Sequence, residues 1–301
     1  MNERSEAPAG IAANKPLSAS VRLAIPWVGG WLALMVVIAV AGREATHELA
    51  VFQIMEMRSL IGLFLLYPLV HANGGFKAMK SKVLPYHVLR NVVHYAAQYG
   101  WLLALTMIPL AQVVALEFTM PIWTALLALA FLGERVDIWK AAAVVCGLTG
   151  VFLIVRPAAG GISVGQAIAL AAALGFAVSV TLTKWLTRSD GAVAIIFWML
   201  VVQSVLGLVP ALAVWRWPSV MVWGWVLVIA FCGTFSHYCM ARALRHADAT
   251  LVVPLDFLRV PLTALAGWLV YSERIDLLMA LGTALILVGN MLNLRRGPKG
   301  S

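Results

Sequence analysis

Five charged residues stand inside long apolar stretches of this sequence: Glu56, Arg58, Glu117, Asp256 and Arg259. Each costs several kcal/mol in an apolar environment unless it is paired or wetted. Asp256 and Arg259 are three residues apart, so they share a helix face and can pair. Such a pair either locks its helix against its neighbours or lines a chamber in which Arg259 attracts a substrate carboxylate. Arg58 is a second candidate of that kind. Glu56, Glu117 and Asp256 are candidates for ion pairing or for a coupling role such as proton relay. Glu117 has an equally good reading as a hydrogen-bond partner for a neighbouring helix.

The run from His94 to Trp101 holds a polar and aromatic stripe: His94, Tyr95, Gln98, Tyr99 and Trp101. Steps of four and three residues place His94, Gln98 and Trp101 on one helix face. Lipid would not tolerate a His and a Gln there, so this face points at a chamber or at adjoining helices. Tyr99 and Trp101 could stack on a planar ligand, and pockets for small molecules combine aromatic rings with a few polar groups. His237 and Tyr238 occupy the corresponding place later in the chain. Catalytic constellations are missing: no His-Glu-x-x-His, no Gly-x-Ser-x-Gly and no phosphate-binding Gly-rich loop occurs. His47-Glu48 lacks the second His. The expectation is no enzyme, no cofactor and no metal site.

The elements that must position these residues follow from composition. The 301 residues are 62% apolar and 12% charged, against roughly 25% charged in soluble domains. The surrounding solvent must therefore be largely lipid. The net charge of +9 is better explained by basic cytoplasmic loops than by nucleic acid. Cys146, Cys232 and Cys239 lie in apolar runs without metal or disulfide spacing and read as packing residues. Residues 1–20 read as a disordered cytoplasmic tail. The first apolar run, Leu23 to Ala41, exceeds a signal-peptide core.

Asking for about 20 apolar residues between polar breaks predicts ten spans: 22–41, 49–71, 85–106, 109–131, 137–155, 163–186, 192–214, 219–244, 249–271 and 276–294. At ~1.5 Å per residue, Arg58 and Arg259 then lie near mid-membrane. With the N-terminus inside, 15 of the 22 Lys and Arg residues fall in inner segments and four (Arg43, Arg156, Arg216, Arg274) in outer ones. That asymmetry places both termini in the cytoplasm. His87 and Arg90 are expected to snorkel at the inner edge. Pro121, Pro254 and Pro261 are candidates to kink the fourth and ninth spans.

The chain also repeats itself. Glu117 to Asp137 reads EFTMPIWTALLALAFLGERVD, and Asp256 to Asp276 reads DFLRVPLTALAGWLVYSERID, at an offset of 139 without a gap. The shared Glu-Arg-x-Asp (Glu134-Arg135 and Asp137, Glu273-Arg274 and Asp276) is hard to obtain by chance. A five-span repeat is odd, so its two copies must enter the membrane from opposite sides. The Glu134 and Glu273 ends are expected to hold the halves together.

On these residues the sequence resembles the EamA family of the drug/metabolite transporter superfamily. The resemblance is carried by Ala104-Leu105, Pro121, Leu132-Gly133-Glu134-Arg135 with Gly147 and Gly150, and by Ala243-Leu244, Pro254, Pro261 and Ser272-Glu273-Arg274. Ser272 departs from the more usual Gly. The resemblance implies an all-α membrane protein of ten transmembrane helices, arranged as two inverted five-helix repeats (21–157 and 158–295) around a central cavity, with a short tail at 296–301. It further implies a multi-pass carrier of a bacterial-type inner membrane, monomeric or homodimeric, whose partners are a small-molecule substrate and the lipid bilayer. An aromatic or bulky apolar amino acid is the favoured cargo, as in the aromatic amino-acid exporter branch. Uptake of a nucleoside-like metabolite such as S-adenosylmethionine is the alternative.

Overall fold

The computed structural model describes residues 17–120, 122–124, 138–155, 161–186, 188–246, 256 and 258–294. Among them every regular element is helical. The helices are α1 (Leu17–Ala45), α2 (Val51–Ala72), α3 (Leu84–Leu105), α4 (Leu110–Glu117), α5 (Ile138–Val155), α6 (Val164–Leu186), α7 (Ala192–Ala213), α8 (Val220–His246), α9 (Arg259–Tyr271) and α10 (Leu277–Leu294). A 3₁₀ turn, Phe76–Met79, precedes α3. Each falls on one of the ten expected spans. The continuations of the fourth span beyond Thr124 and of the ninth before Asp256 lie outside the described residues, as do Glu134, Pro121 and Pro254.

Stretches in α1, α2, α6 and α7 are long and apolar enough to cross a bilayer. The third helix differs, carrying His87, Arg90, Asn91, His94 and Gln98. It can do so because it is central, packing on α6 and α7 and more lightly on α1, α2 and α4. α1 starts at Leu17, so residues 17–20 are helical. At ~1.5 Å per residue its 29 residues span about 43 Å, well beyond the ~30 Å hydrocarbon core. Pro261 falls in the first turn of α9, where a missing N–H is tolerated.

The main helix pairs join the two halves of the chain. α1 packs along α8 and α3 along α6; α5 pairs with α10, α2 with α7 and α4 with α9. Exchanging the halves (α1 for α6, α2 for α7, and so on) turns α1·α8 into α3·α6 and returns each of the other three pairs to itself. The lighter contacts α2·α8 and α3·α7 exchange in the same way, as do α1·α9 and α4·α6. Small residues permit the closest approaches. A Cβ on Gly175 would stand 2.9 Å from the Ala97 Cβ, drawing α6 onto α3. On α5 and α10, Gly150 and Gly282 face each other so closely that a Cβ on either would sit 2.5–2.6 Å from the other's carbonyl oxygen.

Both ends of the bundle carry the same Ser–carboxylate tie. Before α8, Ser219 donates through its N–H (2.5 Å) and hydroxyl (2.7 Å) to Glu48 in the α1–α2 turn. Before α3, the Ser81 hydroxyl donates to Asp190 in the α6–α7 turn at 2.6 Å. These hydrogen bonds hold both carboxyls below their ordinary range; at Asp190 burial opposes the shift, but bonds from His87 and Ser81 outweigh it.

Candidate substrate site

The charges expected to need partners form two clusters flanking α3. In the first, Arg58 of α2 donates from Nη2 to Gln98 Oε1 of α3 (2.9 Å) and to Gln203 Oε1 of α7 (2.7 Å). Arg58 and Gln203 are buried, and Gln98 is half-buried. Two neutral amides thus hold the guanidinium without cancelling its charge. Because α2 starts at Val51, Arg58 lies about 10 Å from that helix end. Glu56 stands nearby at 1% exposure, and neither of its carboxylate oxygens has a partner among the described residues. Gly207 of α7 gives it room: a Cβ there would lie 2.5 Å from Glu56 Oε2 and 3.0 Å from the Tyr95 hydroxyl.

In the second cluster Glu117, at the end of α4, accepts from Trp101 Nε1 (2.8 Å) and from Arg259 Nη2 (3.0 Å). Arg259 also donates to Asp256 Oδ2 at 3.3 Å, with a further Nε contact to Oδ1 at 3.3 Å. The spacing of three does pair Asp256 with Arg259, but the repeat mate Glu117 shares that guanidinium. The Arg259 carbon stands 4.8 Å from the Phe118 ring centroid, and the guanidinium is buried among these partners. Between the clusters, Phe52 of α2 stacks on Tyr99 of α3 at 4.3 Å and 26°.

The residues of the α3 stripe reach different neighbouring helices. His94 turns to α6, with Nδ1 3.2 Å from the Ser179 hydroxyl and its ring 5.5 Å from Phe176. Gln98 reaches α2 and Trp101 reaches α4. Tyr238 of α8 stands apart, its ring edge-on to Trp27 of α1 at 6.0 Å, with Arg242 over both rings. The side chain of His237 lies outside the described residues. Gln203 was missed by the sequence reading, although it is a rare strongly polar side chain in the apolar run of α7.

His87 and Arg90 do not snorkel. His87 is fully buried with Nε2 2.6 Å from Asp190 Oδ2, and Arg90 donates to Thr183 (3.0 Å) and Asn91 (2.6 Å). α6 and its following turn cover this end of α3 and supply partners that water would otherwise provide.

At the α1–α2 end a second group closes the bundle. Glu273, just past α9, accepts from the backbone N–H of Leu110, the first residue of α4, at 2.9 Å, and pairs with Arg43 of α1. Tyr271 donates to Glu44 at 2.8 Å, and the Arg43 guanidinium lies 4.3 Å from the Tyr271 ring centroid. Three helix ends meet at one carboxylate. Ser272 makes the turn, with a left-handed φ of 54°, a conformation that favours Gly.

Known proteins place this architecture. A riboflavin transporter of Brucella anthropi is 31% identical over 248 residues, covering 80% of this chain and 87% of the relative. An S-adenosylmethionine uptake transporter of Rickettsia felis is 24% identical over 263 residues, 86% of this chain and 89% of the relative. A pseudopaline exporter of Pseudomonas aeruginosa is 28% identical over 268 residues, 86% and 90% of the two chains. A solved crystal structure at 18% identity superposes with a TM-score of 0.61 over 91% of this chain and 96% of its own, a likeness of fold alone. The family model described as "EamA-like transporter family" matches twice, at residues 23–156 and 163–295, one match on each half. The chain belongs to the EamA-like transporter family.

Proposed function

We propose that this protein is an alternating-access carrier of a planar, uncharged heteroaromatic metabolite of the flavin type, working in a bacterial inner membrane with both termini in the cytoplasm. The observation that carries the cargo reading is the Phe52–Tyr99 stack beside a guanidinium held by two amides. Stacked rings next to fixed hydrogen-bond donors and acceptors suit a flat ring system with an amide edge. Two riboflavin transporters at 31% and 32% identity support it.

The inverted arrangement of the halves is part of the same reading. It is supported by the odd number of spans per repeat, by the 15-to-4 division of basic residues and by the pairing of helices, which survives exchange of the halves. The Ser219–Glu48 and Ser81–Asp190 ties, one at each end, fit it as well. Two such halves can exchange conformations and open a site between them to either side in turn. His94, Gln98, Tyr99, Trp101, Arg58 and Arg259 are the residues proposed to hold or surround cargo, with Gln203 added.

S-adenosylmethionine is the second reading, favoured by the relatives of that name and by the surplus of carboxylates over guanidiniums, which suits a cationic cargo. An aromatic amino acid rests on the α3 stripe alone. Proteoliposomes of purified protein, preloaded in parallel with riboflavin, S-adenosylmethionine or tryptophan, separate these readings by counterflow of the labelled compound. Riboflavin counterflow that falls at least tenfold in Tyr99→Ala is the expected result. Counterflow of S-adenosylmethionine or tryptophan without riboflavin overturns the flavin reading.

A further inference from the structure

Among the described residues, the two clusters beside α3 hold three carboxylates, Glu56, Glu117 and Asp256, and two guanidiniums, Arg58 and Arg259. Glu117 and Asp256 share Arg259. Arg58 is turned to two amide oxygens and makes no ion pair among the described residues. Glu56 is left over, with both oxygens buried and unpartnered. An ionised carboxylate that is 1% exposed and makes no hydrogen bond among the described residues costs several kcal/mol.

Among the described residues, the groups facing Glu56 supply no ion-pair partner. α3 presents the Tyr95 hydroxyl, which has no partner of its own. α7 presents Gly207 and carries uncharged Gln203 and Ser204. On its own helix Arg58 is two residues away, pointing elsewhere. α8 contributes Gly233 beside Arg58, and its described charge, Arg242, lies against Trp27. The site takes a single small cation that needs no coordination shell, which is a proton. Glu56 lies five residues into α2 and Gly207 six residues before the end of α7, so both helices place it ~8 Å from the α1–α2 end.

We propose that Glu56 is the coupling-proton site of this carrier: the carboxyl holds a proton while buried against Tyr95 and Gly207, and releases it when the α2–α3–α7 contact opens to water. The proton leaves the Glu56 oxygen for bulk water and is regained from the opposite side, so no other reactant is required. The transport half of this inference rests on the flavin-carrier reading; the proton site itself does not.

The test has two arms. In proteoliposomes, an imposed gradient of one pH unit drives riboflavin accumulation by up to about tenfold for one proton per cargo. Glu56→Gln is expected to bring this to no accumulation while riboflavin counterflow without a gradient persists. Glu56→Asp restores gradient-driven accumulation. Gln is nearly isosteric and breaks no hydrogen bond, so folding is expected to survive, checked by circular dichroism and gel filtration. The second arm needs no cargo: infrared difference spectra across a pH step show a protonated-carboxyl C=O band in wild type that disappears in Glu56→Gln. Gradient-driven accumulation by Glu56→Gln, or an infrared band unchanged by the substitution, overturns the proposal. If wild type carries no riboflavin, the flavin reading fails and the infrared arm decides the fate of Glu56.

Discussion

Glu273 ties three helix ends together with one side chain, and removing it has a calculable cost. Its carboxylate accepts from the first N–H of α4 at 2.9 Å, acting as an N-cap supplied from another helix. Loss of a capping oxygen costs roughly 0.5–2 kcal/mol. The ion pair with Arg43 is partly exposed, at 12% and 21% for the two side chains, so its share is about 0.2–1 kcal/mol after screening. Glu273→Ala removes both and should destabilise by ~1–3 kcal/mol. Glu273→Gln keeps an acceptor for Leu110 and loses only the charge, so it should cost less than ~1 kcal/mol. Thermal unfolding in detergent reads the difference, at roughly 2–4 °C per kcal/mol. Arg43→Met should cost somewhat more than Glu273→Gln, since it also removes the contact with the Tyr271 ring, and the double variant should cost little more than Arg43→Met alone, because the two share the ion pair. Equal shifts for Glu273→Ala and Glu273→Gln would refute the capping account, and no shift in either would dismiss the tie altogether.

Ser272 occupies a left-handed position, so Ser272→Gly should stabilise by about 0.5–1 kcal/mol, visible as a raised melting temperature. At the α5–α10 crossing, Gly150→Ala would put a Cβ 2.5 Å from the Gly282 carbonyl oxygen; the helices must separate, at roughly 1–3 kcal/mol, measured by thermal unfolding. Asp190 has its pKa held below the ordinary carboxylate value. Its contribution is therefore fully present above the unfolded-state value near 3.8 and is lost as pH falls through the lower folded value. Asp190→Asn should flatten the acid limb of stability against pH below about pH 4, and identical limbs in both proteins would count against the Asp190 tie.

The helices were legible because lipid demands long apolar runs, and the charged residues were legible because they violate that demand. Their partners were harder to read. Glu117 and Arg259 are 142 residues apart, and only the repeat hinted that the fourth and ninth spans meet. The α3 stripe was read as a single face because spacing fixes angles on one helix. It cannot show that a central helix meets a different neighbour on each side, which is why His94, Gln98 and Trp101 part company. His87 and Arg90 were expected at a water boundary, since nothing in their own segment reveals that Asp190 and Thr183 cover them. Gln203 could have been found by applying to neutral amides the rule applied to charges.

The alliance of α1 with α8 sets the order in which the protein can be completed during synthesis. α1 is the first described helix to leave the ribosome, yet its main partner ends about 200 residues later. At ~5–20 residues per second it waits on the order of 10–40 s, with residues such as Val28, Leu32 and Ala41 turned towards lipid tails or an assembly factor. The nascent chain is therefore most open to mispairing and proteolysis until α8 is inserted. Truncations ending before Val220 should be degraded in cells even though they contain the whole first repeat.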